Sequence, residues 1–409
     1  MKLPPLDWMD SVTDDDHVPP TVFLGPEFLR QKLYQLSPPE EYTLSQTLAR
    51  VSSYYVADQQ SKPPFSEARY GAVSKVYVVC KQDKAMLESF QRALISACPV
   101  AEVRQIADAD HMAMFSTPVD LAGHLADHTT TQHRVPSADP SSAVSTVITM
   151  SAPVAAAAEG ATRIILVHGT GHGGWCWYRV ATLLRAAGHR VDAPDLAASG
   201  ADARTLRDAP TFEDYTRPLL DAVAALPDDE RAVLVGHSFG GMSIALAAEM
   251  FPEKVAAAVF VAALLPDCTN PRSHPIEQLP ISDWMDTVMD EKHVPPSVFL
   301  GPEFLRQQLY NTSPPEDYTL SQSLIRVSSY YVADLQSQPP FNEARYGSVK
   351  KVYVICKKDV AVPEEYQRRM VAGSTAVEVR ELAGADHMPM FSAPVELAGH
   401  LADVGNTFA

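Results

Sequence analysis

The chain has 409 residues, enough for two domains or for one large domain with an addition. At 46% hydrophobic and 20% charged it has an ordinary globular composition, but 50 acidic residues stand against 33 basic ones, a formal net charge of −17. No basic stripe is present to neutralise phosphates, which excludes nucleic acid and an anionic membrane as partners. The five cysteines, Cys80, Cys98, Cys176, Cys268 and Cys356, are odd in number, widely spaced and free of any Cys-x-x-Cys. That pattern fits reduced thiols in a cytoplasmic setting and argues against zinc. No signal peptide is read in Met1–Trp8, and no apolar run approaches the ~20 residues of a membrane span.

The chain opens on one half of a repeat. Residues from about Leu3 to Asp127 reappear without a gap from Leu279 to Asp403, at a constant offset of 276. Trp8 matches Trp284, Gly25-Pro26-Glu27-Phe28-Leu29-Arg30 matches Gly301-Pro302-Glu303-Phe304-Leu305-Arg306, and Tyr54-Tyr55 matches Tyr330-Tyr331. Roughly two-thirds of the positions are identical, and the period is far too long for a solenoid. Residues 1–128 therefore read as an incomplete duplicate of the second half of a domain whose first half they lack. Two readings stand, a regulatory or swapped module and a remnant of duplication; the second is favoured, because a half domain cannot close its own core. Residues 129–162 are rich in small and polar types without a period, the composition of a flexible linker. Residues 163–409 read as the complete domain.

That domain begins with a buried-strand signal, Arg163-Ile164-Ile165-Leu166-Val167, and a glycine-rich loop, His168-Gly169-Thr170-Gly171-His172-Gly173-Gly174-Trp175. The loop lacks both the Lys-Ser/Thr ending of a P-loop and the Gly-x-Gly-x-x-Gly spacing. It suits an oxyanion hole, where backbone N–H groups must point inward unobstructed. A helix from about Trp177 to Ala187, a strand near Val191 and a helix from Thr211 to Leu226 follow. Next comes Ala232-Val233-Leu234-Val235, then Gly236-His237-Ser238-Phe239-Gly240-Gly241, then a run of helix formers to Met250. This is the Gly-x-Ser-x-Gly form of a nucleophile elbow. A strand that turns at once into a helix strains its corner residue and needs small neighbours, which Gly236 and Gly240 supply. Ser238 would then sit at a helix N-terminus, where free N–H groups favour developing negative charge.

Val255–Ala263 reads as another buried strand. The alternation of strand and helix means a mostly parallel sheet with helices on both faces, an α/β fold. From about 268 to 346 the chain is rich in Pro, Ser, Tyr and charge and reads as an inserted cap. Strands return at Lys351–Cys356 and Ala376–Leu382. A serine nucleophile needs a base, and the base an orienting acid, in the chain order Ser, Asp/Glu, His for this kind of fold. Asp359 follows the first late strand and His387 the second. Asp386 is a weaker rival for the acid, since it adjoins His387. Asp83 and His111 occupy the same positions in the first copy. No elbow precedes them, and Leu87 and Asp108 replace Pro363 and Gly384, so they are expected to be catalytically idle.

Together, His168–Tyr178, Asp195-Leu196-Ala197-Ala198-Ser199-Gly200, Gly236–Gly241 and Gly384-Ala385-Asp386-His387-Met388 resemble the plant methylesterase family. That family includes methyl salicylate esterases, polyneuridine aldehyde esterase and the α-hydroxynitrile lyases, all of the α/β-hydrolase fold. The resemblance implies Ser238 as nucleophile, His387 as base, Asp359 as its acid, and the N–H groups of Thr170 and Phe239 as oxyanion hole. It places Trp284 and Tyr330 in cap segments that line the acyl pocket. It implies no metal or organic cofactor, a small-molecule ester as substrate (methyl salicylate, methyl jasmonate or methyl indole-3-acetate), and leaves a homodimer open. The lyases place a threonine where this chain has Gly169 and a lysine where it has Met388; without that charge, ester hydrolysis is favoured over cyanohydrin cleavage. A non-catalytic binding protein for small salicylate-type molecules is the alternative of a different class.

Overall fold

The computed structural model describes residues 8–130 and 162–408, apart from 15, 18, 54, 99 and 282. The chain divides into two compact units, Met1–Met150 and Ser151–Ala409. Of the stretch expected as a linker, residues 131–161 lie outside the described residues.

In the first unit, β1 (Val12–Asp14) and β2 (Thr21–Phe23) form an antiparallel pair. Strands β3 (Val76–Cys80) and β4 (Glu102–Ile106) form a two-stranded parallel pair with Val76 opposite Glu102. The longest of its helices, Pro118–Thr130, runs two residues past the expected boundary at 128. Among the described residues its buried apolar side chains include two small groups, Phe28 with Leu29 and Leu33, and Ile106 with Ala109 and Ala113, and beside them Val22, Leu44 and Val79. Such clusters are far below what a stable domain core requires.

The second unit is built on a six-stranded, wholly parallel sheet. Its strands are β5 (Arg163–Val167), β6 (Arg190–Asp192), β7 (Ala232–His237), β8 (Val255–Val261), β11 (Lys351–Cys356) and β12 (Val377–Leu382). Between β8 and β11 lie the short antiparallel strands β9 (Val288–Asp290) and β10 (Ser297–Phe299). The order across the sheet is β12-β11-β8-β7-β5-β6. Strand β8 reads Val-Ala-Ala-Ala-Val-Phe-Val and is buried along its whole length, as a central parallel strand covered on both faces should be. One face carries Ile165, Val167, Leu234, Phe260, Tyr353 and Ile355, packed with Phe212, Tyr215 and Leu219. Residues of the opposite parity, Ile164, Leu166, Val233, Val235, Val352 and Val354, are equally buried. Helix Pro394–Phe408 reaches that side: the Thr162 hydroxyl donates to the Gly405 carbonyl at 3.1 Å.

Helix Phe212–Ala224 starts on a reciprocal cap. The Thr211 hydroxyl accepts from the Asp214 amide and the Asp214 carboxylate from the Thr211 amide. Helix Gly240–Met250 is buried from Gly240 to Ala248 and apolar there but for Ser243, which fits a helix enclosed by the fold rather than facing water. Residues 268–346 add no strand to the main sheet and hold only short pieces, such as helices Pro315–Leu324 and Val332–Ser337.

Candidate active site

Four loops leave the carboxyl ends of the main sheet, where ligands bind in open parallel α/β folds. They follow β5, β7, β11 and β12 and carry Thr170, Ser238, Asp359 and His387. Ser238 has φ +52°, a left-handed conformation that costs a side-chain-bearing residue strain. The turn is possible because its flanks are bare. A Cβ on Gly236 would lie 2.6 Å from the Gly240 carbonyl oxygen, and one on Gly240 2.7 Å from that of Val167. The Ser238 carbonyl is held by the amides of Gly241 (3.1 Å) and Leu264 (3.0 Å). Neither the Thr170 nor the Phe239 amide has a protein acceptor among the described residues.

His387 Nδ1–H donates to Asp359 Oδ2 at 2.8 Å, since a carboxylate can only accept, and this leaves Nε2 bare. Both side chains are almost wholly buried. Burial pushes the Asp359 carboxyl up; the bond from His387 and the Val362 amide at 2.8 Å oppose it. Asp386, the rival acid, is committed elsewhere. It accepts from the amides of Thr312, Ser313 and Met388 and from the hydroxyls of Ser313 and Ser392, so it builds the loop and does not face the imidazole as Asp359 does.

Sequence reasoning missed how many side chains hold this frame. Gln367 is fully buried; its amide donates to the carbonyls of Cys356 (3.0 Å) and Val362 (2.7 Å) and its oxygen accepts from the Cys356 amide. That bolts both ends of the loop bearing Asp359. Three imidazoles surround the elbow. His168 Nδ1–H donates to the Gly169 carbonyl (2.9 Å) and His172 Nδ1–H to the Thr170 carbonyl (2.9 Å). His172 Nε2 accepts from the Tyr310 hydroxyl at 2.8 Å. His237 Nε2–H donates to the His387 carbonyl at 2.7 Å. Burial pushes His172 down to about 4 and depresses His168 and His237 as well, so all three act as neutral, directional donors near neutral pH. His168 and His172 in the glycine-rich loop were the available signal, but the Leu196 amide and the Tyr310 hydroxyl that meet their Nε2 atoms come from distant segments.

Ser238, His387, Thr170 and Phe239 line one cavity. Its remaining wall is mostly apolar, with Leu264, Leu300, Phe304, Leu309 and Val362 among the lining. Tyr330 lines it too, and burial pushes its phenol up to about 12. Trp284 does not. Its indole stacks on Phe304 at 5.3 Å and meets Tyr330 edge-on at 6.0 Å, one layer behind the wall it was expected to form. Among the described residues no three His, Cys, Asp or Glu side chains gather to hold a metal, and no helix is long and apolar enough to cross a membrane.

The profile of the alpha/beta hydrolase family matches residues 164–400. The chain is 46% identical over 254 residues to Methylesterase 7 of Arabidopsis thaliana, covering 60% of this chain and 97% of that protein. The chain belongs to the plant methylesterase group of the alpha/beta hydrolase family. It is a carboxylic ester hydrolase. A second methylesterase-group relative, Salicylic acid-binding protein 2 of Nicotiana tabacum, is 43% identical over 252 residues, 60% of this chain and 97% of the relative. The crystal structure of polyneuridine aldehyde esterase superposes with a TM-score of 0.58 at 38% identity, covering 60% of this chain and 99% of the other.

Proposed function

We propose that this protein hydrolyses methyl esters of small, ring-bearing carboxylic acids, with Ser238 as nucleophile, His387 as base and Asp359 as the acid that orients it. One observation carries the reading: a strained serine and an aspartate-held imidazole line the same apolar cavity. In the first step His387 Nε2 takes the Ser238 proton as the oxygen attacks the ester carbonyl. The Thr170 and Phe239 amides receive the oxyanion; losing one such donor costs roughly 3–4 kcal/mol in other hydrolases. Methanol departs with the proton held by His387, and water then clears the acyl-enzyme by the same route in reverse. The apolar wall suits an uncharged acyl group such as that of methyl salicylate, methyl jasmonate or methyl indole-3-acetate, and the names of the methylesterase relatives support ester substrates.

Cyanohydrin cleavage fits less well. A Cβ at Gly169 would lie 2.8 Å from the Ser238 Cβ, so a threonine there forces the elbow or the loop to move. Met388 is fully buried and carries no charge to hold a departing cyanide. The test is methanol release from these three esters by the full chain and by Ser238→Ala. Turnover should be at least 10³-fold lower in the variant. Unchanged turnover, or saturable binding of salicylate with no hydrolysis in the unmodified chain, would contradict the proposal.

A further inference from the structure

Among the polar atoms of the cavity wall that the hydrolysis mechanism leaves unused is the Thr170 hydroxyl. Thr170 is 6% exposed and lines the cavity, and its Oγ1 is buried with no hydrogen-bond partner among the described residues. The Tyr330 hydroxyl is close enough to feel it, but the approach falls short of a hydrogen bond. A buried hydroxyl without a partner is destabilising, and a valine of the same shape would avoid that penalty. The backbone that carries the side chain is also held. Its own carbonyl is held by His172, those of Gly169 and Gly171 by His168 and by the Arg326 amide (2.8 Å), and Gly171 adopts φ +73°. The loop is thus pinned on three successive carbonyls, which fixes the backbone from which the hydroxyl projects.

We propose that the Thr170 hydroxyl determines substrate specificity by hydrogen-bonding a polar group on the acyl part of the ester. The inference rests on the reading of Ser238 and the Thr170 amide given above. Because hydroxyl and amide belong to one residue, the group recognised lies close to the ester carbonyl: an adjacent hydroxyl or carbonyl, or a ring N–H a few bonds away. A hydroxyl both donates and accepts, so each of these is served. A site with a buried polar group discriminates against an analogue that leaves the group unpaired.

Two ester pairs test it: methyl salicylate against methyl benzoate, and methyl indole-3-acetate against methyl naphthalene-1-acetate. The unmodified chain should prefer the hydrogen-bonding member of at least one pair by roughly tenfold in kcat/KM. Thr170→Val should lower the kcat/KM ratio of that pair by roughly tenfold, and Thr170→Ser should keep it. Both valine and serine retain the backbone amide, so any disturbance of the oxyanion site falls on both members of a pair and the readout is the ratio of kcat/KM within the pair. Equal slowing of both members in Thr170→Val, or no preference in the unmodified chain, overturns the assignment while Ser238→Ala remains inactive. Hydrolysis that survives Ser238→Ala overturns the reading beneath it instead.

Discussion

Strands β3 and β11 carry almost the same letters, Val76-Tyr77-Val78-Val79-Cys80 and Val352-Tyr353-Val354-Ile355-Cys356, and end in different surroundings. Strand β11 lies between β8 and β12 and is buried throughout; among the described residues β3 pairs with β4 alone and is mostly half-buried. Locally the two copies agree closely. Met9 and Met285 have φ of 51° and 49°, and Tyr55 and Tyr331 both 50°. Asp10 accepts from the amides of Glu27 and Phe28 at the distances at which Asp286 accepts from Glu303 and Phe304, 2.9 and 3.0 Å. His111 meets Asp83 at 2.9 Å, as His387 meets Asp359 at 2.8 Å. Burial is what separates them. Phe65 is 83% exposed and Phe341 2%; Tyr70 is 52% exposed and Tyr346 0%. Turns, caps and an acid–base pair are therefore written in the repeated segment itself. A large core, the apolar-walled cavity and the strained serine corner come only with residues 163–263.

The largest expected effect separates the two imidazoles. His387→Ala should lower kcat/KM on methyl salicylate by about 10⁴-fold or more, the scale seen when a triad member is removed elsewhere. His111→Ala should change it by less than twofold. The reverse outcome would mean that the first copy supplies the working base.

A smaller effect sharpens the contrast at the tyrosine that holds the loop. Tyr310→Phe removes only the hydroxyl that donates to His172 and leaves that buried nitrogen unpaired. It should cost about 1–3 kcal/mol in stability, read as a lower midpoint of thermal inactivation. Tyr34→Phe, at the matching position of a segment with no counterpart of His172, should cost no more than about 0.5 kcal/mol. Equal effects would show that the hydroxyl's partner is irrelevant.

An effect of similar size is expected in acid. The folded His172 titrates near 4 and an unfolded histidine near 6.5. As pH falls below 6.5 the unfolded chain binds a proton that the folded chain refuses. The stability is therefore present in full above 6.5 and is lost progressively between 6.5 and 4. At pH 5 the loss from His172 is about 2 kcal/mol, and His168 and His237, shifted the same way, add to it. Denaturant midpoints followed by enzyme activity from pH 8 to 5 should decline accordingly. A flat profile would indicate that these rings are not buried and neutral.

What could be read from the letters follows the same division. The corner at Ser238 was legible because its glycines answer a steric need that is local in sequence. The sheet was legible because β5, β7, β8 and β11 are continuous apolar runs. Trp284 was misplaced because the cap residue's neighbours, Phe304 and Tyr330, lie 20 and 46 positions away, and only packing decides which ring faces the cavity. Gln367, Tyr310 and the three neutral histidines were invisible for a related reason: each is an ordinary residue until a carbonyl or ring from another segment is set beside it.

The account depends on a serine made reactive by a base in the same unit. The direct measurement is covalent labelling with a fluorophosphonate, followed by mass-spectrometric mapping of the modified residue in the full chain, His111→Ala and His387→Ala. The prediction is rapid labelling of Ser238 in the full chain and in His111→Ala, and labelling at least 10³-fold slower in His387→Ala. Label on a different residue, or on Ser238 at an undiminished rate in His387→Ala, would contradict it.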